Sequence, residues 1–152
     1  ITLNVSGAGA NVSTTNTSSD AVFLDDDSNN TGFINVTLSG EGAYLSTLGN
    51  YAEGVFLDQT ASGGSATTTV TLSGNNSYIS TAGDHAEIVA HDQYSGNFGD
   101  VGTANVTLSG DGARLISTGD NSEAVYTRAT GKYGAAASTV SLTGDNAQIS
   151  TT

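Results

Sequence analysis

Apolar and polar residues alternate in short runs along this chain, and the runs return at a nearly fixed interval. Val36 and Leu38 alternate with Thr37 and Ser39 before Gly40. The same phrase stands at Val70–Gly74 and Val106–Gly110, with variants at Val140–Gly144 and Leu3–Gly7. Period-two alternation marks a half-buried strand. A second run follows, with Ala43 and Leu45 alternating with Tyr44 and Ser46, and a third holds Val55, Phe56 and Leu57. The glycines that close the first run, Gly7, Gly40, Gly74, Gly110 and Gly144, lie 33, 34, 36 and 34 residues apart. A period of this size means a solenoid or repeat array. The repeats begin near residues 3, 36, 70, 106 and 140.

Helical repeats of similar length are excluded, because Thr, Val, Ser, Gly and Asn dominate and are poor helix formers. Between the first and second runs stand GAG, GEG, GNN, GDG and GDN. The third letter is always Gly or Asn, the residues that most readily accept positive φ. A second corner, such as Ser46-Thr47-Leu48-Gly49-Asn50, is also centred on glycine. Nearly all length variation falls in the loop after the third run.

Three strands, two tight corners and one loose corner make a triangular coil, and stacked coils set like over like. The inward columns are Leu3/Val36/Val70/Val106/Val140, Val5/Leu38/Leu72/Leu108/Leu142, Val12/Leu45/Ile79/Leu115/Ile149 and Val22/Val55/Val89/Val125. The pattern predicts one all-β domain over residues 1–152: a parallel β-solenoid, specifically a right-handed β-helix, with three strands and about 34 residues per coil. A single coil buries too few aliphatic side chains to offset its ordering entropy, so the phrase must repeat to build one continuous core.

Composition narrows the partners. Three Lys and Arg face 15 Asp and Glu, a net charge of -12. That balance disfavours nucleic acid and anionic membranes, and suits an extracellular surface or one that gathers cations. Cysteine is absent, which removes disulfides and thiolate metal sites. No run of 18 apolar residues exists, so no membrane insertion of this segment is expected. The chain opens on Ile1, with no visible signal peptide and no cap on either end of the solenoid. The expectation is either a piece of a longer chain or a subunit that stacks on itself head to tail.

The stretches VTLSGEGAYLSTLGNYAEGVFLDQ (36–59) and VTLSGDGARLISTGDNSEAVYTRA (106–129) resemble the passenger repeats of bacterial autotransporters. The resemblance runs from Leu3 to Thr151. It implies secretion and a bacterial cell-surface or released β-helix; with the uncapped repeats, the expected role is structural, an adhesin stalk or fibre-forming unit. It transfers no catalytic residues, because the family's repeats carry none, and the translocating barrel of that family is absent from this sequence.

Several columns could carry chemistry. Asp20, Glu53, Glu87 and Glu123 precede the third run, and Asp25, Asp58 and Asp92 form a second acidic column, with Asp26 and Asp27 beside its first member. Stacked about 4.8 Å apart, each like pair costs on the order of 1 kcal/mol even in water. Ca²⁺, a hard cation that takes carboxylate oxygens, is a candidate to offset this; the alternative is that the acids fan into solvent. His85 and His91, near Asp84, Glu87 and Asp92, suggest a second metal site, although His91 aligns with Leu24 and Leu57 and could simply fill a core-edge position. Thr37, Thr71, Thr107 and Ser141 form an outward hydroxyl ladder of the kind ice-binding solenoids use. Tyr44 and Tyr78, followed in their column by Arg114 as a further stacking partner, offer a surface for a host or cell-surface ligand, carbohydrate or protein, the alternative being a purely structural ladder. Phe23, Phe56 and Tyr126 share a column of undecided facing, and Tyr94, Phe98 and Tyr133 fall in the loose loops. Catalysis is not expected. The chain's only bases of the lyase type, Arg114, Arg128 and Lys132, all lie in its last third, and no carboxylate pair is singled out.

Overall fold

The computed structural model describes residues 1–25, 31–59, 65–94, 101–130 and 135–152. The first coil contains β1 (Thr2–Val5), β2 (Asn11–Thr14) and β3 (Val22–Asp25); the second contains β4 (Phe33–Leu38), β5 (Tyr44–Thr47) and β6 (Val55–Gln59). The third holds β7 (Ala66–Leu72), β8 (Tyr78–Thr81) and β9 (Val89–Tyr94), and the fourth β10 (Val101–Leu108), β11 (Arg114–Ser117) and β12 (Val125–Thr130). Strands β13 (Ala135–Leu142) and β14 (Gln148–Thr151) begin a fifth. Like strands pair in parallel, giving three sheets ordered β1-β4-β7-β10-β13, β2-β5-β8-β11-β14 and β3-β6-β9-β12. The molecule is therefore an all-β parallel solenoid of about four coils, with no helix among the described residues.

Every inward column keeps its register from coil to coil. Val36 pairs with Val70, Val70 with Val106, Leu45 with Ile79, and Val55 with Val89. In the middle coils these side chains are fully buried. At the last coil Val140, Leu142 and Ile149 are 40%, 45% and 37% exposed, because no described strand lies over them.

Glycine serves the corners in two different ways. The third letter of the first corner does take positive φ, at Gly9, Gly42, Asn76, Gly112 and Asn146. In the second corner the positive-φ residues are instead Ser18, Tyr51, His85 and Asn121. Its glycines are there for close approach: a Cβ on Gly49 or Gly83 would lie 2.0 Å from a backbone oxygen of the coil before. The glycine that closes the repeated phrase has the same reason. A Cβ on Gly74 would sit 2.1 Å from the Gly40 carbonyl oxygen.

The third corner departs from expectation. Residues of the loose loop after the third run, including Phe33, Ile34, Ala66–Thr68, Val101–Ala104 and Ala135–Ser138, continue the first sheet as strand. Small or apolar side chains at alternate positions (Ile34, Thr68 and Ala104 in register) let these extensions pack inward. Asp26, Asp27, Phe98, Lys132 and Tyr133 lie outside the described residues, and Tyr94 ends β9.

Side chains tie the coils together as well as the ladders do. Asn75 Oδ1 accepts from the Asp111 N–H and Asp111 Oδ1 from the Asp145 N–H, both at about 3.1–3.2 Å. At the second corner Asn50 and Asp84 do the same for the N–H groups of Asp84 and Asp120. These side-chain caps satisfy corner N–H groups beside the backbone bonds that also join the coils there, such as Gly42 N–H to the Asn75 carbonyl.

Candidate functional site

The first acidic column stands where the chain enters the third sheet. The Glu53 N–H donates to Asp20 Oδ1 at 2.8 Å, and the carboxyls of Glu53, Glu87 and Glu123 follow one another up the stack. Burial, then the hydrogen bond and charge of Asp20, push Glu53 up to about 9. Burial likewise raises Glu87. Glu53, raised that far, keeps its proton at neutral pH and can share it with Asp20, which relieves the repulsion of that pair without a cation. Among the described residues, no group of three or more His, Asp or Glu is arranged to hold a metal ion. A protonated Glu53 works against a dication at its level of the first column.

The second column, Asp25/Asp58/Asp92, is in register and continues to Arg128. Arg128 Nη2 donates to Asp92 Oδ2 at 2.6 Å and Nε to Oδ1 at 3.1 Å, a two-pronged pair that supplies a counter-ion from within the chain. Arg128 stands in this column as a counter-ion rather than as a lyase base.

The two histidines are not one site. His85 lies in the exposed second corner and stacks on Tyr51, with centroids 5.2 Å apart and planes 5° off parallel. His91 is fully buried in the column of Leu24 and Leu57, the core position its alignment indicated. Its Nδ1 lies 3.1 Å from Thr68 Oγ1. Around it are Gln59 and Gln93, in register and buried, and the hydroxyl of Thr127 from the next coil. Gly102 closes this polar cluster, since a Cβ there would fall 2.7 Å from Gln93 Oε1 and 3.0 Å from His91 Nε2. Desolvation holds His91 down at about 4, so the ring is neutral in ordinary buffers. Sequence reasoning found His91 but missed the glutamines. Their signal was available: Gln59 and Gln93 sit two residues beyond an inward position, at period two.

The outward faces are ladders of a different kind. On the first sheet Thr37, Thr71, Thr107 and Ser141 are in register, flanked by a parallel row Asn35/Thr69/Asn105/Thr139 and, further along, by Thr67 and Thr103. On the third sheet the facing of the aromatic column is now settled. Phe23 is 47% exposed and meets Phe56 with centroids 5.4 Å apart, so the column points outward.

On the second sheet Tyr44 and Tyr78 are stacked, with centroids 4.8 Å apart and planes 2° off parallel. Arg114 follows Tyr78 in register. A groove of about 320 Å³ opens beside them, lined by Asn76, Tyr78, Arg114 and Ile116.

A comparison of the chain with family models, with curated proteins and with solved structures finds no match. The functional reading therefore rests on the geometry and the sequence alone.

Proposed function

We propose that this chain is a non-catalytic structural segment of a secreted, bacterial cell-surface β-solenoid, serving as an adhesin stalk or as a fibre-forming unit. The observation that carries this reading is the directional sameness of the coils. All three ladders run from each coil to the next in the same register, and Asn and Asp caps repeat across the second to fourth coils at the second corner and the third to fifth at the first. A structure of this kind lengthens by adding coils and stays stiff, because every addition buries the same columns. The autotransporter-like phrases support an extracellular setting, and the net charge of -12 suits a solvated surface. Self-association would place the outer strands of one copy on those of another, a head-to-tail contact that propagates without closing.

Negative-stain electron microscopy of the purified chain, in calcium and in chelator, tests this. Long thin fibres in both buffers support the fibre-forming unit. Short rods in both remove it and leave the stalk. Fibres or rods that fall apart on chelation would overturn the metal-free account of the acidic columns in favour of a Ca²⁺-dependent module.

A second reading, ice binding, draws on the flat hydroxyl array of the first sheet. Thermal hysteresis abolished by Thr71→Tyr would support it. No hysteresis in the unaltered chain would end it.

A further inference from the structure

In a repeat protein the informative positions are those where a column stops repeating. On the outward face of the second sheet, one row reads Asn11/Tyr44/Tyr78/Arg114/Gln148 and its neighbour reads Ser13/Ser46/Ser80/Ile116/Ser150. Both rows break in the same strand, β11, at two adjacent outward positions. A tyrosine ladder gives way to arginine, and an otherwise unbroken serine row gives way to isoleucine. Ordinary drift in a solvated ladder would exchange one polar residue for another. Here a cation and an aliphatic side chain arrive together, beside the last ring of a two-ring stack.

The groove of about 320 Å³ lies at this double break. Tyr44 covers one face of the Tyr78 ring, and the groove lies on the Arg114 side. Ile116 adds a second apolar wall and Asn76 an amide. Asn76 is held in place by its positive φ of 55° and by Gly112, where a Cβ would lie only 2.7 Å from the Asn76 Oδ1. Among the described residues the Arg114 guanidinium meets no carboxylate within ion-pair distance, whereas Arg128 is paired with Asp92. An arginine without a partner, in a chain of net charge -12, is the one place on this face that favours an anion.

We propose that Tyr78, Arg114, Ile116 and Asn76 form a binding subsite for an acidic saccharide, one residue of a carboxylate-bearing glycan. A pyranose ring offers an apolar C–H face to an aromatic ring, hydroxyls at its rim and, in a uronic acid, a carboxylate in a fixed place. The groove matches each in turn. The groove-lining side of Tyr78 takes the sugar ring. The Arg114 fork takes the carboxylate through two parallel hydrogen bonds. The Asn76 amide takes a hydroxyl, and Ile116 excludes water from one side. The volume suits a single sugar, at the small end of ligand sites. This subsite does not rest on the stalk or fibre reading.

The test is a calorimetric titration with trigalacturonic acid, and with galactotriose as the neutral counterpart. The acid trimer is expected to bind saturably, with Kd of about a millimolar or tighter, and the neutral trimer at least about tenfold more weakly. Arg114→Gln should lower affinity for the acid about tenfold and leave the melting temperature unchanged, since the side chain is exposed and unpaired. Tyr78→Ala should lower affinity for both sugars, and Ile116→Ser should lower it about threefold. Equal binding of the two trimers, binding that survives Arg114→Gln, or no saturable binding would overturn the proposal. So would acetate competing as well as the trimer, which would mark a simple anion site.

Discussion

The first and third corners of the coil are built on opposite plans. At the first, the same phrase, turn and glycine return in every coil, and the buried columns beside it are aliphatic: Val36/Val70/Val106 and Leu38/Leu72/Leu108. At the third, the buried columns change from coil to coil. Leu24 and Leu57 give way to His91 and Thr127, and Gln59 and Gln93 stand where an aliphatic ladder would continue. Uniform columns pack because identical shapes stack at one spacing. A column that changes must satisfy different partners at each level, so it acquires buried polar groups and a glycine, Gly102, cut to fit them. Repetition supplies stability at one corner, and individuality enters at the other.

The sharpest way to break the uniform corner is Gly74→Ala. The new methyl would fall 2.1 Å from the Gly40 carbonyl oxygen, so whole coils must separate, and a loss above about 4 kcal/mol is expected in denaturant unfolding. Gly42→Ala in the same turn is the control. Its Cβ meets nothing within 4 Å, and only the positive φ of 63° is strained, for about 1 kcal/mol. If both cost the same, close approach is not what selects the repeated glycine.

Leu72→Ala hollows the aliphatic ladder and should cost about 3 kcal/mol. His91→Leu at the other corner restores the leucine of the coils before it. At pH 7 it should change stability by less than about 1 kcal/mol, because a lost bond to Thr68 is set against the removal of a buried imidazole.

The pH dependence of melting separates the two polar columns. His91 is lowered from 6.5 to about 4, so its contribution is full above pH 6.5 and is lost as pH falls through 4. Glu53 is raised from 4.5 to about 9, so its contribution is full below pH 4.5 and is lost as pH rises through 9. Between about pH 4.5 and 6.5 the two slopes oppose each other, which gives a plateau with falling limbs on both sides. His91→Leu should flatten the acid limb and Glu53→Gln the alkaline one. An alkaline limb that survives Glu53→Gln would move the shared proton elsewhere in the column. Arg128→Gln should have the smallest effect, about 0.5 kcal/mol or less, because the Asp92 pair is exposed to solvent; 0.5 M salt should abolish even that.

The sequence by itself determined the architecture. Alternation at period two, a return near every 34 residues and a Gly or Asn at the third turn position specify strand, coil and first corner, because each is a local requirement written once per repeat. It also placed the acidic, threonine and tyrosine columns, since in a solenoid alignment is adjacency. Only the tertiary structure decided what those columns do. It showed that glycine at the second corner answers to the coil before it, while positive φ falls on Ser18, Tyr51, His85 and Asn121. It showed Glu53 buried enough to keep its proton, Arg128 paired with Asp92, and a groove lined by Tyr78 and Arg114. The physical reason is the same in each case. Register depends on the order of residues along the chain, but burial, protonation and the gap between two side chains depend on what the neighbouring coil places against them.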